Sequence, residues 1–437
     1  MNGLRYFFFI LLTYFYTNAI AQSNKQIKRL VNESEILSDH FTGFALYDCD
    51  KEKMIYTLNA DKHFTPASNT KLFTCYTALE MLGDSIPSLR YIIKGDSLIF
   101  WGTGDPTLYR KDFNSNNIHF FLKNAPQKLF WAYSNYEGNF YGRGWPYGDY
   151  DADYQAEISA LPFAGNLVTF FTDSLTGKLQ CYPSYFSRFV KVGYNNTSKT
   201  FSVNRSLTTN DFSIPNSTAP LGFKQQIPYK TSPELIKSLL EDTLKRPIQL
   251  IDMPMPRNVH TLYDEATDTV YRAMLLPSDN FIAEQLLLVC SSTLGANLNT
   301  YAAIKYSKEN YLNTPPQQLI WADGSGLSRM DFFTPESLVY LLLKLKEKVG
   351  NDERLHQMLP EGGRKGSLKS TYQLDLGKPF VWAKTGTLTG VHNQSGYIIT
   401  RKGKHLIYSF MNNNFIQPTA AIRKEMVRII TAIRKDN

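Results

Sequence analysis

Ser68-Asn69-Thr70-Lys71 is the only Ser-x-x-Lys in the chain. A serine hydroxyl is a weak nucleophile until a neighbouring base takes its proton, and a lysine can be that base once burial lowers its basicity. Positions i and i+3 of a helix share a face, so a helical segment would set Lys71 beside Ser68. Leu72, Phe73, Tyr76, Leu79 and Leu82 follow at helical spacing, which predicts a helix buried along one face. Thr65-Pro66 supplies its start, Thr65 as the cap and Pro66 at the first helical position. Backbone N–H groups at such a start can stabilise developing negative charge. A serine with a lysine base and no evident His/Asp partner implies acyl transfer through a covalent intermediate. The plain alternative is a surface helix end with a solvated lysine.

Two further clusters have chemistry in them. Ser278-Asp279-Asn280 follows Pro277 and opens another apolar helix; taken alone it reads as an ordinary Ser N-cap. Ser115-x-Asn117 and Ser202-x-Asn204 share its pattern, but neither is expected to open a helix. Lys384-Thr385-Gly386-Thr387 ends the strand-like run Phe380–Ala383, and a glycine there lets another backbone approach closely.

Ser-x-x-Lys, then Ser-x-Asn, then Lys-Thr-Gly, in that order and in those contexts, resembles the signature of penicillin-recognising serine enzymes. Ser68 and Ser278 are 210 positions apart and Ser278 and Lys384 are 106 apart, so a large insertion separates the first two motifs. That layout is similar to the D-alanyl-D-alanine carboxypeptidase/endopeptidase family, the class C low-molecular-mass penicillin-binding proteins. Gly104-Asp105-Pro106-Thr107-Leu108, Asp323–Arg329 before Thr334-Pro335, and Leu359-Pro360 through Gly366-Ser367-Leu368 also resemble segments of that family. The resemblance covers nearly the whole chain and is weakest over about 110–258, where a third subdomain is expected to be reduced or absent.

The resemblance implies an α+β fold: a β-lactamase/transpeptidase-like domain, an antiparallel sheet flanked by helices, split as 22–88 and 259–437 around a mostly-β insertion, 89–258. It implies hydrolysis of the bond between two D-alanines in peptidoglycan stem peptides, with β-lactams as inhibitors and no metal or organic cofactor. Ser68 would attack, Lys71 would take its proton, and Ser278 with Lys384 would relay a proton to the leaving amine. Asn280 would position Lys71 and the substrate amide. The oxyanion would sit between the backbone N–H groups of Ser68 and Thr387. Lys384 and Thr385, with Gly386 and Thr387 along the same strand, would hold the substrate.

Two other functions share these residues. A β-lactamase differs mainly in its deacylating base, and Glu309-Asn310-Tyr311-Leu312-Asn313 matches a Glu-x-x-Leu-Asn pattern of one such class. It ends a helical run before Pro315-Pro316 and is read as coincidence. A non-enzymatic cell-wall binding or β-lactam-sensing protein needs no nucleophile–base pair.

The elements that must hold these residues apportion the chain. A hairpin, Phe44–Asp48 and Lys53–Leu58, precedes the first motif, and a second one flanks Arg401–Lys404 before a last helix from about Thr419 to Arg434. Helices are expected over Ser232–Leu244, Val270–Leu276, Asn280–Val289, Tyr301–Leu312 and Pro335–Val349. Between Leu89 and Asn258 short β-like runs alternate with Gly, Asn, Asp and Pro. Asp149, Asp151 and Asp153 there are read as solvated turn residues, with contact to a cationic group on the peptide stem as the functional alternative. His260, His356 and His392 are read as structural. Cys75 and Cys290 read as core residues, and a Cys49–Cys181 bridge stays open.

Hydrophobic residues at 43% and charged residues at 20% exclude a disordered chain, and four scattered cysteines exclude a disulfide scaffold or zinc ribbon. The +8 net charge is spread too evenly to argue for nucleic acid. Residues 1–21 read as a secretory signal, with Arg5, an apolar run from Tyr6 to Tyr16, and Ala19-Ile20-Ala21 before a cleavage point near Ala21. The mature chain is therefore expected in the periplasm or cell envelope, with no membrane span. The alternative is an uncleaved N-terminal anchor.

Overall fold

Alternation along Phe41–Asp48 lets one sheet carry helices on both faces. In the computed structural model, which describes residues 26–114, 116–194, 200–295 and 297–436, this strand pairs with Lys53–Leu58 and with His405–Asn413. The expected signal segment lies outside the described residues. The whole sheet runs Val381–Leu388, Val391–Ile399, His405–Asn413, Phe41–Asp48, Lys53–Leu58, antiparallel throughout. Phe44 and Leu46 pack with Tyr408, Phe410 and the Ile422, Met426 and Ile430 stripe of the C-terminal helix Thr419–Asp436. Ala45, Ile407 and Met411 face the other way, into the body formed by helices Thr70–Met81, Asn280–Ser291 and Pro335–Val349. The two ends of the chain thus share one α+β sheet, as the resemblance implies.

The Ser-x-x-Lys helix corrects two expectations. Every residue from Thr70 to Leu79 is buried, not one face only, because the helix is enclosed chiefly by Asn280–Ser291 and Pro335–Val349, with Thr267–Leu275 and Thr300–Asn310 also touching it. Its threonines are accommodated by hydrogen bonds: Thr74 Oγ1 donates to Gly324 O at 2.6 Å, and Thr77 Oγ1 lies 2.7 Å from Ser307 Oγ. Nor does Thr65 cap it. A 3-10 turn, Ala67–Asn69, precedes the α-helical start at Thr70, and Ala67 takes φ +48°, which breaks the run from Pro66. Thr65 N instead donates to Asn413 Oδ1 at 2.8 Å, tying the turn to the sheet.

Among the described residues three more sheets are built, largely from the intervening chain. A five-stranded one orders Ile248–Ile251, Lys128–Ala132, Ser97–Gly102, Ser85–Lys94 and His260–Ala266; Ser85–Lys94 runs across the expected 88/89 junction, and His260–Ala266 follows the one at 258/259, so the sheet takes an edge strand from beyond the expected insertion. Leu167–Thr172, Leu179–Tyr182 and Lys224–Pro228 form a three-stranded sheet, as do Val190–Tyr194, Asn204–Arg205 and Phe212–Pro215. Helices Asn117–Asn124 and Pro233–Leu244 pack with them. The first overturns the expectation that Ser115-x-Asn117 opens no helix; Ile118 and Leu122 bury on its inner face. All four cysteines are free, Cys75 and Cys290 buried as read and Cys49 and Cys181 unbridged. Among the described residues no helix is long and apolar enough to cross a membrane.

Candidate active site

The 3-10 turn presents Ser68, and Lys71 stands on the first turn of the helix behind it. Lys71 is fully buried, and its Nζ lies 2.9 Å from Ser68 Oγ, 2.6 Å from Asn280 Oδ1 and 2.7 Å from the Ser325 carbonyl oxygen. An ammonium has three N–H donors, and all three find acceptors here. Burial pulls the group down to about 8, against the opposing pull of Asp323 and Glu284. Once neutral, the amine can keep two N–H bonds on the Asn280 and Ser325 oxygens, the two shorter contacts. Its lone pair is then left for the Ser68 hydroxyl proton.

Lys384, on strand Val381–Leu388, is likewise fully buried. Its Nζ donates to Ser278 Oγ at 2.8 Å and to Thr385 O at 2.7 Å. Burial first, and the charge of Lys71 second, push it well below the usual lysine range. Ser278 is not the helix cap that its position suggested. Asp279 is: its Oδ1 accepts from Ile282 N at 2.8 Å, while Oδ2 accepts from Arg110 Nη2 at 3.0 Å. Ser278, one residue earlier, holds φ +69°, a left-handed conformation costly for a side-chain-bearing residue, and its hydroxyl meets Lys384. Asn280 then opens the helix, Oδ1 on Lys71 and Nδ2 donating to Tyr154 O at 3.1 Å.

Gly386 is where the Lys-Thr-Gly strand touches the nucleophile turn. A Cβ there would sit 2.9 Å from Ser68 N and closer still to Pro66 O, so only glycine permits this approach. Thr385 Oγ1 lies 2.8 Å from Ser367 Oγ, and Thr387 Oγ1 lies 2.8 Å from His392 Nδ1. Ser68, Asn280 and Thr387 border a cleft of about 490 Å³, lined also by Pro146, Asp149 and Tyr154. The three motifs, more than three hundred positions apart in sequence, are thus brought to one cleft.

Several participants have roles at the site that the three motifs do not mark. The Asp323–Arg329 loop contributes the Ser325 carbonyl to Lys71, a backbone role that residue type does not reveal. Glu284, buried, holds that carbonyl in place: its Oε2 accepts from Gly324 N at 2.9 Å and its Oε1 from Ser325 N at 2.8 Å. Burial and the neighbouring Asp323 raise its carboxyl above the usual range. The signal was a lone acid in the apolar run Phe281–Cys290, four residues after Asn280 and so on the same helix face. Asp323 accepts from Gly326 N at 2.6 Å, from Ser328 N at 2.7 Å, and from Trp145 Nε1 at 2.8 Å, which pins the inserted segment to the loop. His392 lies beside the third motif rather than away from all motifs; burial lowers it to about 4, so it is neutral at neutral pH.

Other candidates stay outside the reacting group. Glu309 is exposed on helix Thr300–Asn310, 4.0 Å from Lys305, and borders no part of the cleft. Asp149 borders the cleft and accepts from Tyr154 Oη at 2.7 Å. His356 stacks on Trp382 with ring centroids 3.8 Å apart.

Comparisons with known proteins bear on the chain as a whole. A model of the D-Ala-D-Ala carboxypeptidase 3 (S13) family matches residues 23–433. A D-alanyl-D-alanine carboxypeptidase of Actinomadura sp. (strain R39) is 25% identical over 448 aligned residues, covering 91% of this chain and 82% of that one. The D-alanyl-D-alanine carboxypeptidase DacB of Haemophilus influenzae is 33% identical over 99 residues, 21% of this chain and 20% of that one. The crystal structure of penicillin binding protein 4 (dacB) from Haemophilus influenzae superposes with TM-score 0.74 at 18% identity, covering 94% of this chain and 99% of that one. That likeness extends over the whole fold.

Proposed function

The chain belongs to the D-Ala-D-Ala carboxypeptidase 3 (S13) family of serine-type peptidases, and from that membership we propose that it hydrolyses the D-Ala-D-Ala bond of peptidoglycan stem peptides through an acyl-enzyme on Ser68. The observation that carries the reading is the fully buried Lys71 amine, 2.9 Å from Ser68 Oγ and lowered to about 8. Lys71 takes the Ser68 proton as the serine attacks the carbonyl carbon between the two D-alanines. The negative charge that develops on the carbonyl oxygen meets the backbone N–H groups of Ser68 and Thr387. Ser278, hydrogen-bonded to Lys384, delivers a proton to the departing amine, and Asn280 keeps Lys71 in register and meets the substrate amide. Lys384 and Thr385 face the terminal carboxylate. Water then hydrolyses the ester and regenerates Ser68.

A β-lactam offers a strained amide in place of the D-Ala-D-Ala bond, and it would acylate the same serine. Cross-linked peptides present the same bond, so endopeptidase cleavage belongs to this reading, as does a site of action in the periplasm or cell envelope. The test is labelling by a fluorescent penicillin together with D-alanine release from a peptide ending in D-Ala-D-Ala. Ser68→Ala should lose both while melting at the parent temperature; a labelled Ser68→Ala protein would refute the assignment.

A further inference from the structure

Behind the Ser278–Asn280 turn lies a second hollow of about 670 Å³, which none of the roles above uses. One wall is the turn itself, with Arg110 beside it. The other is a face of the three-stranded sheet of Leu167–Thr172, Leu179–Tyr182 and Lys224–Pro228. Strand alternation explains why that face is open. Val168 and Phe170 bury in the core of the inserted segment, so Thr169 and Phe171 point the opposite way. Their cross-strand partners are Gln226 and Lys224. The wall therefore presents an aromatic ring, a hydroxyl, an amide and an ammonium in one plane.

Charge separates this wall from the turn opposite. Arg110 is outnumbered where it stands, by Asp112 at 2.7 Å and Asp279 at 3.0 Å, so the turn side is net negative. Lys111 and Lys224 are exposed and have no carboxylate partner among the described residues. The Lys111 ammonium lies over the Tyr182 and Phe171 rings, 4.2 and 5.6 Å from their centroids. Asp153 is the remaining acid bordering the hollow. Two cations that no carboxylate pairs, over a polar and aromatic floor, suit an extended peptide that carries carboxylates.

Tyr154 and Asn280, joined by their hydrogen bond, border both this hollow and the catalytic cleft, so the two adjoin at the motif. We propose that the hollow receives the peptide on the leaving-group side of the scissile bond: the carboxylate-bearing acceptor peptide of a cross-linked substrate. The inference rests on the reading above, in which the departing amine takes its proton from Ser278. Whatever is attached beyond that amine then passes the turn whose far side forms the wall of the hollow. A single departing D-alanine would fill little of such a volume, whereas several residues of peptide would occupy it.

The test uses the full chain, its Lys111→Glu/Lys224→Glu double variant, and the milder Lys111→Ala/Lys224→Ala. Four readouts are compared: penicillin acylation, D-alanine release from a pentapeptide, and cleavage of a cross-linked tetrapeptide dimer with and without its sugars. Both dimers should lose about tenfold in kcat/KM on charge reversal, and less on alanine substitution, with acylation and D-alanine release within twofold of the parent. Added salt should slow the parent on the dimer and narrow its gap to the variants. Unchanged dimer cleavage in the variants, or a parent that acylates but does not cut the dimer, would overturn the proposal. So would an equal loss on pentapeptide and dimer, and a loss confined to the sugar-bearing dimer would assign the hollow to glycan instead. Failure of the parent to acylate would overturn the underlying reading, a result distinct from all of these.

Discussion

Gly386→Ala tests whether the Lys-Thr-Gly strand and the nucleophile turn form one reactive surface. Residue 386 sits in register with Asn393 on the neighbouring strand, so its extended backbone accepts alanine without strain of its own. The obstacle is space. The new Cβ would lie 2.4 Å from Pro66 O and 2.9 Å from Ser68 N where ordinary contact begins at 3.4 Å, so strand and turn must part by about 1 Å. That movement widens the gap between the two N–H groups proposed for the oxyanion, which must both reach the same oxygen. Misplacement by about 1 Å is worth roughly 10²-fold in rate, so acylation should slow by about 10²-fold, or roughly 2.7 kcal/mol of barrier. Overpacking of this kind destabilises a fold by about 1–3 kcal/mol, so the variant should remain folded at 25 °C. The assay is the second-order rate of penicillin acylation, read beside circular dichroism and the melting temperature. Gly83→Ala is the control, since a Cβ at Gly83 meets nothing within 4 Å. A folded Gly386→Ala protein that acylates at the parent rate would refute the geometric argument.

The acylation rate should also rise with pH. As the proposed base Lys71 would act unprotonated, and burial lowers it to about 8, so its neutral fraction, and with it the rate, should climb about tenfold from pH 7 to pH 9 with a midpoint near 8. A flat profile across that range would remove Lys71 from the role of base. Glu284→Ala strands two buried N–H groups, those of Gly324 and Ser325, at about 1–3 kcal/mol each. It should lower the melting temperature and slow acylation together, and Glu284→Gln, which keeps one acceptor oxygen, should recover part of both. Wild-type acylation by Glu284→Ala would show that the Ser325 carbonyl needs no such support.

The chemistry of the site was legible in residue type and local context. Ser68 with Lys71 at i+3, Ser278 with Asn280 at a helix start, and Lys384 with Gly386 at a strand edge each follow from short-range rules of spacing, and so do the helices Pro233–Leu244 and Pro335–Val349 with their Ser232 and Thr334 caps. Periodicity also identified the flanking strands, because one apolar face per strand is all that alternation needs.

Tertiary structure alone decided how those pieces meet. Sequence spacing cannot say that a helix with an apolar stripe is enclosed on every side, as Thr70–Leu79 is, since enclosure depends on what packs against the polar face. It is that enclosure which strips Lys71 of water and lowers its basicity. Backbone groups carry no identity in sequence, so the Ser325 carbonyl that holds Lys71 and the N–H groups that Glu284 and Asp323 hold in turn were invisible there. The φ of Ser278 and the cap at Asp279 were likewise set by long-range partners, Lys384 on a distant strand and Arg110 from the inserted segment. Local rules dictate which groups a segment can offer. Only the packed chain decides which of them lose water and face one another.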